Sequence, residues 1–176
     1  MSYLVELECS KCGKKFDPDR VQTVCDVCGK PLLARYDLNA AGRVINRDSF
    51  KGQESSMWRY RELLPVKDEK NIICLGEGYT PMLRAEKLGE KIGLNDLWIK
   101  DESQIPTGTF KARGLSAAVS KAKELGIKHV AIPSAGNAGG ALAAYGAKAG
   151  MEVHVFMPED APLVNKVECW VTGAKV

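Results

Sequence analysis

Residues 129–157 read HVAIPSAGNAGGALAAYGAKAGMEVHVFM, and this stretch decides the fold. His129–Pro133 is a short apolar run of strand character. Asn137 to Gly150 is an alanine-rich helix pattern closed by glycine, and Met151–Met157 carries the β-branched and aromatic residues of a second strand. Upstream, Leu97–Lys100 reads as a short strand. Thr109 to Gly126 reads as a helix on which Phe110, Leu115, Ala118, Val119, Ala122 and Leu125 recur at helical spacing. Downstream, Pro162 to Gly173 predicts a further helix and Ala174–Val176 the opening of a further strand. This alternation predicts an α/β region, a parallel sheet with flanking helices. An αβ unit normally completes the strand its helix feeds, so the strand begun at Ala174 predicts the N-terminal portion of a longer polypeptide.

By texture the chain divides into residues 1–34, dense in cysteine; 35–77, a polar connecting segment; and 78–176, the α/β region, expected to be incomplete at its C-terminus. The connecting segment holds one helix-like piece, Met57–Leu64, stopped by Pro65; its Trp58, Arg59 and Tyr60 are expected to pack onto the main body or a partner subunit. The 176 residues carry 25 Lys and Arg against 22 Asp and Glu, and a net charge of +3 predicts no nucleic-acid partner. No apolar run reaches the roughly 18 residues that cross a bilayer, and Met1–Glu8 lacks a signal-peptide pattern. A cytoplasmic protein without a membrane partner is expected.

Cys9-Ser-Lys-Cys12 and Cys25-Asp-Val-Cys28 form two C-x-x-C pairs, each followed by a glycine, Gly13 and Gly29. Four thiolates match the tetrahedral preference of Zn²⁺ and fill every position, which predicts a structural zinc ribbon over 1–34. Redox thiols are the alternative, although a redox pair sits at a helix start beside a βαβ unit and these pairs sit among turns. Lys11, Lys14, Lys15, Arg20 and Lys30 are matched by Glu6, Glu8, Asp17, Asp19 and Asp26, leaving little attraction for phosphate. Cys74 and Cys169 read as buried structural thiols.

Pro106-Thr-Gly-Thr-Phe-Lys111-Ala-Arg-Gly114 puts a lysine in the first turn of an amphipathic helix. The positive potential of a helix start disfavours an ammonium, and the neutral amine is the nucleophile that imine formation needs; an ordinary exposed lysine is the alternative. Ile132-Pro-Ser134-Ala-Gly136-Asn137-Ala138-Gly-Gly140 lies between a strand and a helix, where α/β proteins bind ligands and free amides favour an anion. Two alternatives stay open for it: a helix entry capped by Asn137, and a Rossmann nucleotide site with Glu159 as its acidic partner, in which Ser134 replaces the first glycine. Arg113 reads as a partner for a carboxylate or the cofactor site, or as an exposed helix charge, and His154 as a structural strand residue.

The order Gly76-Glu-Gly78-Tyr-Thr80-Pro81, then Thr-Phe-Lys111-x-Arg-Gly114, then Ser134-x-Gly136-Asn137 resembles the pyridoxal-phosphate enzymes of the tryptophan synthase β-like family, fold type II, and within it the threonine synthases. The resemblance extends to the N-terminal cysteines and the Trp-Arg-Tyr segment. It implies that Lys111 forms the imine with pyridoxal phosphate and then moves substrate protons, with Phe110 beside the cofactor and Asn137 bonded to its ring hydroxyl. It implies that Ser134, Gly136 and the following amides, Ala138 included, hold the carboxylate of a small amino-acid substrate, and that Thr80 lies near that substrate. The implied reaction converts O-phospho-L-homoserine and water to L-threonine and phosphate, in an enzyme that is a homodimer at full length. Two features depart from this pattern. Ala112 stands where threonine synthases usually carry Asp, a trait of threonine and serine dehydratases, whereas the cysteines pull back toward threonine synthase or cysteate synthase. Residues 141–176 contain no glycine-rich phosphate loop, so the chain alone is expected to be inactive. A zinc-ribbon interaction module and a Rossmann nucleotide-binding protein remain as readings of another class.

Overall fold

The computed structural model describes residues 2–176. Its N-terminal sheet has the order β2-β1-β3, with β1 (Leu4–Cys9) pairing antiparallel to both β2 (Lys15–Phe16) and β3 (Leu32–Tyr36). β3 runs on to Tyr36, two residues beyond the boundary expected at 34, because Tyr36 still pairs with Leu4. Asp37 then caps α1 (Leu38–Val44), its Oδ1 accepting from the Ala40 amide at 2.8 Å.

The connecting segment is built from short 3₁₀ turns at Arg47–Phe50, Met57–Leu63 and Glu69–Asn71. The helix-like piece at 57 is therefore 3₁₀, interrupted at Tyr60. Its end follows from Pro65, which drives the preceding residue into extended backbone; Leu64 sits at φ −110°, ψ 158°. Trp58 is completely buried, with Met57 and Val66 beside it, so Trp58 packs this segment onto the main body as expected, whereas Tyr60 is half-exposed and meets Phe50 of the same segment.

The expected strand at 97–100 exists as β5 (Trp98–Lys100), but it does not enter a parallel sheet. Its hydrogen bonds go antiparallel to β4 (Met82–Arg84), returned by α2 (Glu86–Ile92). The parallel pairing is between β6 (His129–Pro133) and β7 (Glu152–Phe156), in register from His129–Glu152 to Pro133–Phe156. α3 (Lys111–Glu124) leads into β6, α4 (Asn137–Ala149) crosses from β6 to β7, and α5 (Leu163–Trp170) follows. α3 begins two residues later than the pattern suggests, since Thr109 is extended. The strand expected from Ala174 is present as one parallel bridge, Lys175 to His154.

α4 lies against β7 because it is made of small residues. A Cβ at Gly139 would stand 2.9 Å from Val155, and one at Gly146 would overlap Val153. Val119, Leu142, Tyr145, Val153, Val155 and Cys169 fill the space between the helices and the sheet. Each such aliphatic side chain contributes about 1.5–3 kcal/mol by leaving water. No helix among the described residues is long and apolar enough to cross a membrane.

Gly78 is the tightest contact between the connecting segment and the rest. It holds φ +145°, and a Cβ there would stand 2.7 Å from the Ser56 carbonyl carbon. Gly76, at φ +97°, faces open space. Gly78→Ala is expected to destabilise the protein by about 2–4 kcal/mol and Gly76→Ala by about 1 kcal/mol, read by urea denaturation. Equal losses at the two positions would contradict the contact as the cause.

Candidate active site

Lys111 is the first residue of α3. The turn before it, Pro106–Gly108, packs against both α3 and α4. Thr107 in that turn holds φ +63°, the left-handed conformation that a β-branched residue resists. The hydroxyls of Thr107 and Thr109 are buried without a hydrogen-bond partner. The Lys111 ammonium lies 4.3 Å from the centre of the Phe110 ring, and no carboxylate stands within ion-pair distance of it among the described residues. Phe110 is 60% exposed. Orphaned hydroxyls, backbone strain and an unpaired lysine thus occur together in five residues, 107–111.

The asparagine loop is shaped by one hydroxyl. Ser134 Oγ accepts from the amides of Gly136 at 3.3 Å and Gly139 at 3.1 Å. That arrangement caps α4 through Ser134 and leaves Asn137 exposed at the first helical position, where the sequence allowed Asn137 to be the cap. The Asn137 and Ala138 amides make no hydrogen bond within the described residues. Ala138 is half-buried, and a Cβ at Gly140 would overlap the Glu168 carboxylate. The Rossmann reading is overturned here: Ser134 occupies the amides that would face a pyrophosphate, and the family match reported below is to a different class.

Thr80 is buried, and its hydroxyl donates to Glu102 Oε1 at 2.5 Å. Glu102 in turn receives both arms of Arg113, at 2.7 and 2.9 Å, so Thr80 is tied to α3 two residues beyond Lys111. Arg113 therefore pairs with a carboxylate, one of the roles open to it in the sequence. Glu102 itself was not singled out there, because its partners lie eleven and twenty-two residues away.

A second unforeseen residue is Glu77, inside the Gly76-Glu-Gly78 motif. It is fully buried and accepts from Trp58 Nε1 at 3.0 Å, Ser116 Oγ at 2.5 Å, Tyr145 OH at 2.6 Å and the Leu75 amide at 2.9 Å. Burial pushes its carboxyl up, but the donors outweigh that and hold it below the usual range. A charged residue between two glycines was the available signal. Ala112, by contrast, is fully buried in the core and does not face the lysine turn.

The four N-terminal cysteines meet within 4.8 Å. Cys9 and Cys28 sulfurs are 3.4 Å apart, Cys12 and Cys25 3.6 Å, and Cys12 and Cys28 3.9 Å. A tetrahedral Zn²⁺ with bonds of about 2.3 Å requires sulfurs about 3.8 Å apart, so the donor set fits. Amides of Cys12 and Lys11 pull the Cys9 thiol down to about 6, and the bond to Cys9 pushes Cys28 up to about 12. Gly13 and Gly29 turn at φ +71° and +64°, bringing their amides back to the Cys9 and Cys25 carbonyls. This cluster is remote from Lys111, because its module docks at the other end of α3: Asp19 pairs with Lys121, ten residues and about 15 Å along the helix.

The Glu102–Arg113 pair has a pH signature. Arg113 first, then Thr80, holds the folded carboxyl at about 2 against an ordinary 4.5. Its stabilisation is therefore present above pH 4.5 and lost as the pH falls from 4.5 toward 2. Glu102→Gln is expected to cost about 1 kcal/mol at neutral pH, after solvent screening of a partly exposed pair. The gap between the urea midpoints of wild type and variant should narrow as the pH falls from 4.5 toward 2; a gap that stays constant from pH 7 down to pH 2 would sink this account.

Residues 73–176 match the family model described as pyridoxal-phosphate dependent enzyme. The chain is 39% identical over 169 residues to a threonine synthase of Methanocaldococcus jannaschii, covering 96% of this chain and 42% of that protein. It is 40% identical over 174 residues to a threonine synthase of Methanosarcina acetivorans, covering 98% and 42%. Among solved structures, a pyridoxal 5'-phosphate-dependent aspartate racemase superposes with a TM-score of 0.53 at 33% identity, over 56% of this chain and 31% of that one. The chain thus spans about two fifths of the length of the curated relatives it matches. With its lysine turn and asparagine loop lying inside the matched region, this chain belongs to the pyridoxal-phosphate dependent enzymes of fold type II.

Proposed function

We propose that the chain carries the lysine-bearing part of an enzyme that converts O-phospho-L-homoserine and water to L-threonine and phosphate. The observation that carries this reading is Lys111, unpaired in the first turn of α3 beside two orphaned hydroxyls. The names of the archaeal relatives support the choice of reaction. Bound pyridoxal phosphate would supply an electron sink for cleavage at the substrate's α- and β-carbons. Lys111 would hold the cofactor and move the substrate protons through its Nζ. Phe110 lies against that amine, and the exposed side-chain amide of Asn137, distinct from its backbone N–H, is free to donate to the cofactor's ring hydroxyl. Ser134, engaged with Gly136 and Gly139, would act by fixing the loop, which leaves the Asn137 and Ala138 amides to take the substrate carboxylate. Thr80 would border the substrate through the lone pairs that its bond to Glu102 leaves open.

The dehydratase reading, which rested on Ala112, is weakened by the burial of that side chain in the core, whereas cysteate synthase stays open on the cysteine cluster. The homodimer expected from the resemblance belongs to the same proposal; the exposed apolar residues Leu163, Val164 and Trp170 on α5 are consistent with burial by further protein.

Borohydride reduction of the chain with about 1 mM pyridoxal phosphate, followed by peptide mapping, tests the lysine. The dominant labelled peptide should contain Lys111 and should vanish in Lys111→Arg. Labelling spread evenly over the surface lysines, or unchanged in that variant, would overturn the assignment.

Zinc at Cys9, Cys12, Cys25 and Cys28 is the second part of the proposal, supported by the sulfur spacing. The purified chain should hold one zinc, and chelation or Cys25→Ser should release it and lower the melting midpoint by about 5 °C or more. A chain with no bound metal and a midpoint indifferent to chelator would contradict it.

A further inference from the structure

Both histidines of the chain, His129 and His154, reach for one carboxylate, that of Glu152. The parallel pairing of β6 and β7 places them there. His129 is the register partner of Glu152, and His154 stands two residues further along β7, so all three side chains rise from one face of the sheet. That face is turned away from α4, because the alternate residues Val153 and Val155 are the ones buried against the helix. His129 Nδ1 lies 3.4 Å from Glu152 Oε2, and His154 Nε2 lies 2.8 Å from Oε1. His129 is exposed, and Glu152 and His154 are partly so. The carboxylate stands between the imidazoles, whose nitrogens are not drawn together as closely as the four cysteine sulfurs. Lys175, which bridges to His154, bonds to Glu152 Oε1 as well. None of these residues belongs to the lysine turn, the asparagine loop or the cysteine cluster.

We propose that His129, Glu152 and His154 form a second metal site, which takes a borderline divalent ion such as zinc or nickel through two imidazoles and a carboxylate. Imidazole selects these ions over magnesium and calcium, which prefer all-oxygen surroundings. Bonds of about 2.1 Å at tetrahedral angles set neighbouring donors about 3.4 Å apart. The His129–Glu152 distance already meets that value, and His154 needs to withdraw by roughly half an ångström. Rotation of the exposed His129 side chain between its staggered positions closes the two imidazoles on one ion. Three protein donors leave a position for water, so this site is open where the cysteine cluster is closed. Lys175 competes with the ion for Glu152 Oε1, which limits the affinity and gives the site a signature of its own. The inference is independent of the reaction proposed above, since none of these groups takes part in it.

Zinc titration of the untagged chain, already carrying one equivalent of zinc and followed by proton NMR of the two histidine rings, tests it. Both rings should shift with one shared midpoint, at about 10–100 µM free zinc, while magnesium at about 5 mM should move neither. His129→Gln and Glu152→Gln should each weaken the response of the His154 ring about tenfold or more. Lys175→Met should strengthen it about threefold or more, because the competing ammonium is gone. If a variant fails to fold, the shared midpoint in the unaltered chain decides. A response from one ring alone, midpoints that differ between the rings, or no response below about 1 mM would overturn the proposal. So would a His154 response that Glu152→Gln or Lys175→Met leaves unchanged.

Discussion

The carboxylate of Glu77 is the contact on which the rest of this structure depends. It makes no ion pair among the described residues, and a carboxylate taken out of water costs several kcal/mol or more. Four donors offset that cost, and they come from separate parts of the chain: Trp58 from the connecting segment, Ser116 from α3, Tyr145 from α4, and the Leu75 backbone. One anion therefore sets the distance between the two helices that begin at Lys111 and Asn137. Burial first, and then this contact, push the Tyr145 phenol up, so in the folded protein it stays protonated and remains a donor. Ser116 passes its own lone pair to Trp58, which closes the network. Gly78 completes the arrangement by letting the next residue pass against Ser56 without a side chain between them.

α3 serves as the spine between the lysine turn and the cysteine module. Near its first turn Arg113 gathers Glu102 and Thr80; near its last, Glu124 Oε1 accepts the amides of Lys67 and Asp68, both at 2.8 Å. Lys121 reaches Asp19 in the cysteine module from the same end. Lys111 and the four-cysteine cluster are therefore held toward opposite ends of one helix. Side chains along its length, Ala112, Ser116, Val119 and Ser120, face inward and fix its rotation.

Much of this was legible in the sequence, and the limits have physical causes. α3, α4, β6 and β7 follow from local periodicity, and Gly126 and Gly150 end their helices in the left-handed conformation that glycine favours. That the four cysteines converge was readable from two C-x-x-C pairs, a spacing that brings four sulfurs to one place. The antiparallel partner of β5 was not readable, since three residues cannot declare which strand they will meet. Nor were the roles of Glu77 and Glu102, whose partners arrive from up to 68 residues away. Ala112 shows the converse: a residue adjacent to the lysine looked relevant to substrate choice, but one step along a helix turns a side chain by about 100° and carries it into the core.

The docking of the cysteine module has a consequence for the order of folding. Asp19 meets Lys67 across 48 positions and Lys121 across 102. Contacts of such separation close large loops and form slowly. During synthesis, β1, β2 and β3 leave the ribosome well before the helix that will receive them. In that interval the module relies on its own strand pairing and cysteine cluster, so its autonomy is a kinetic requirement of the way the chain is made.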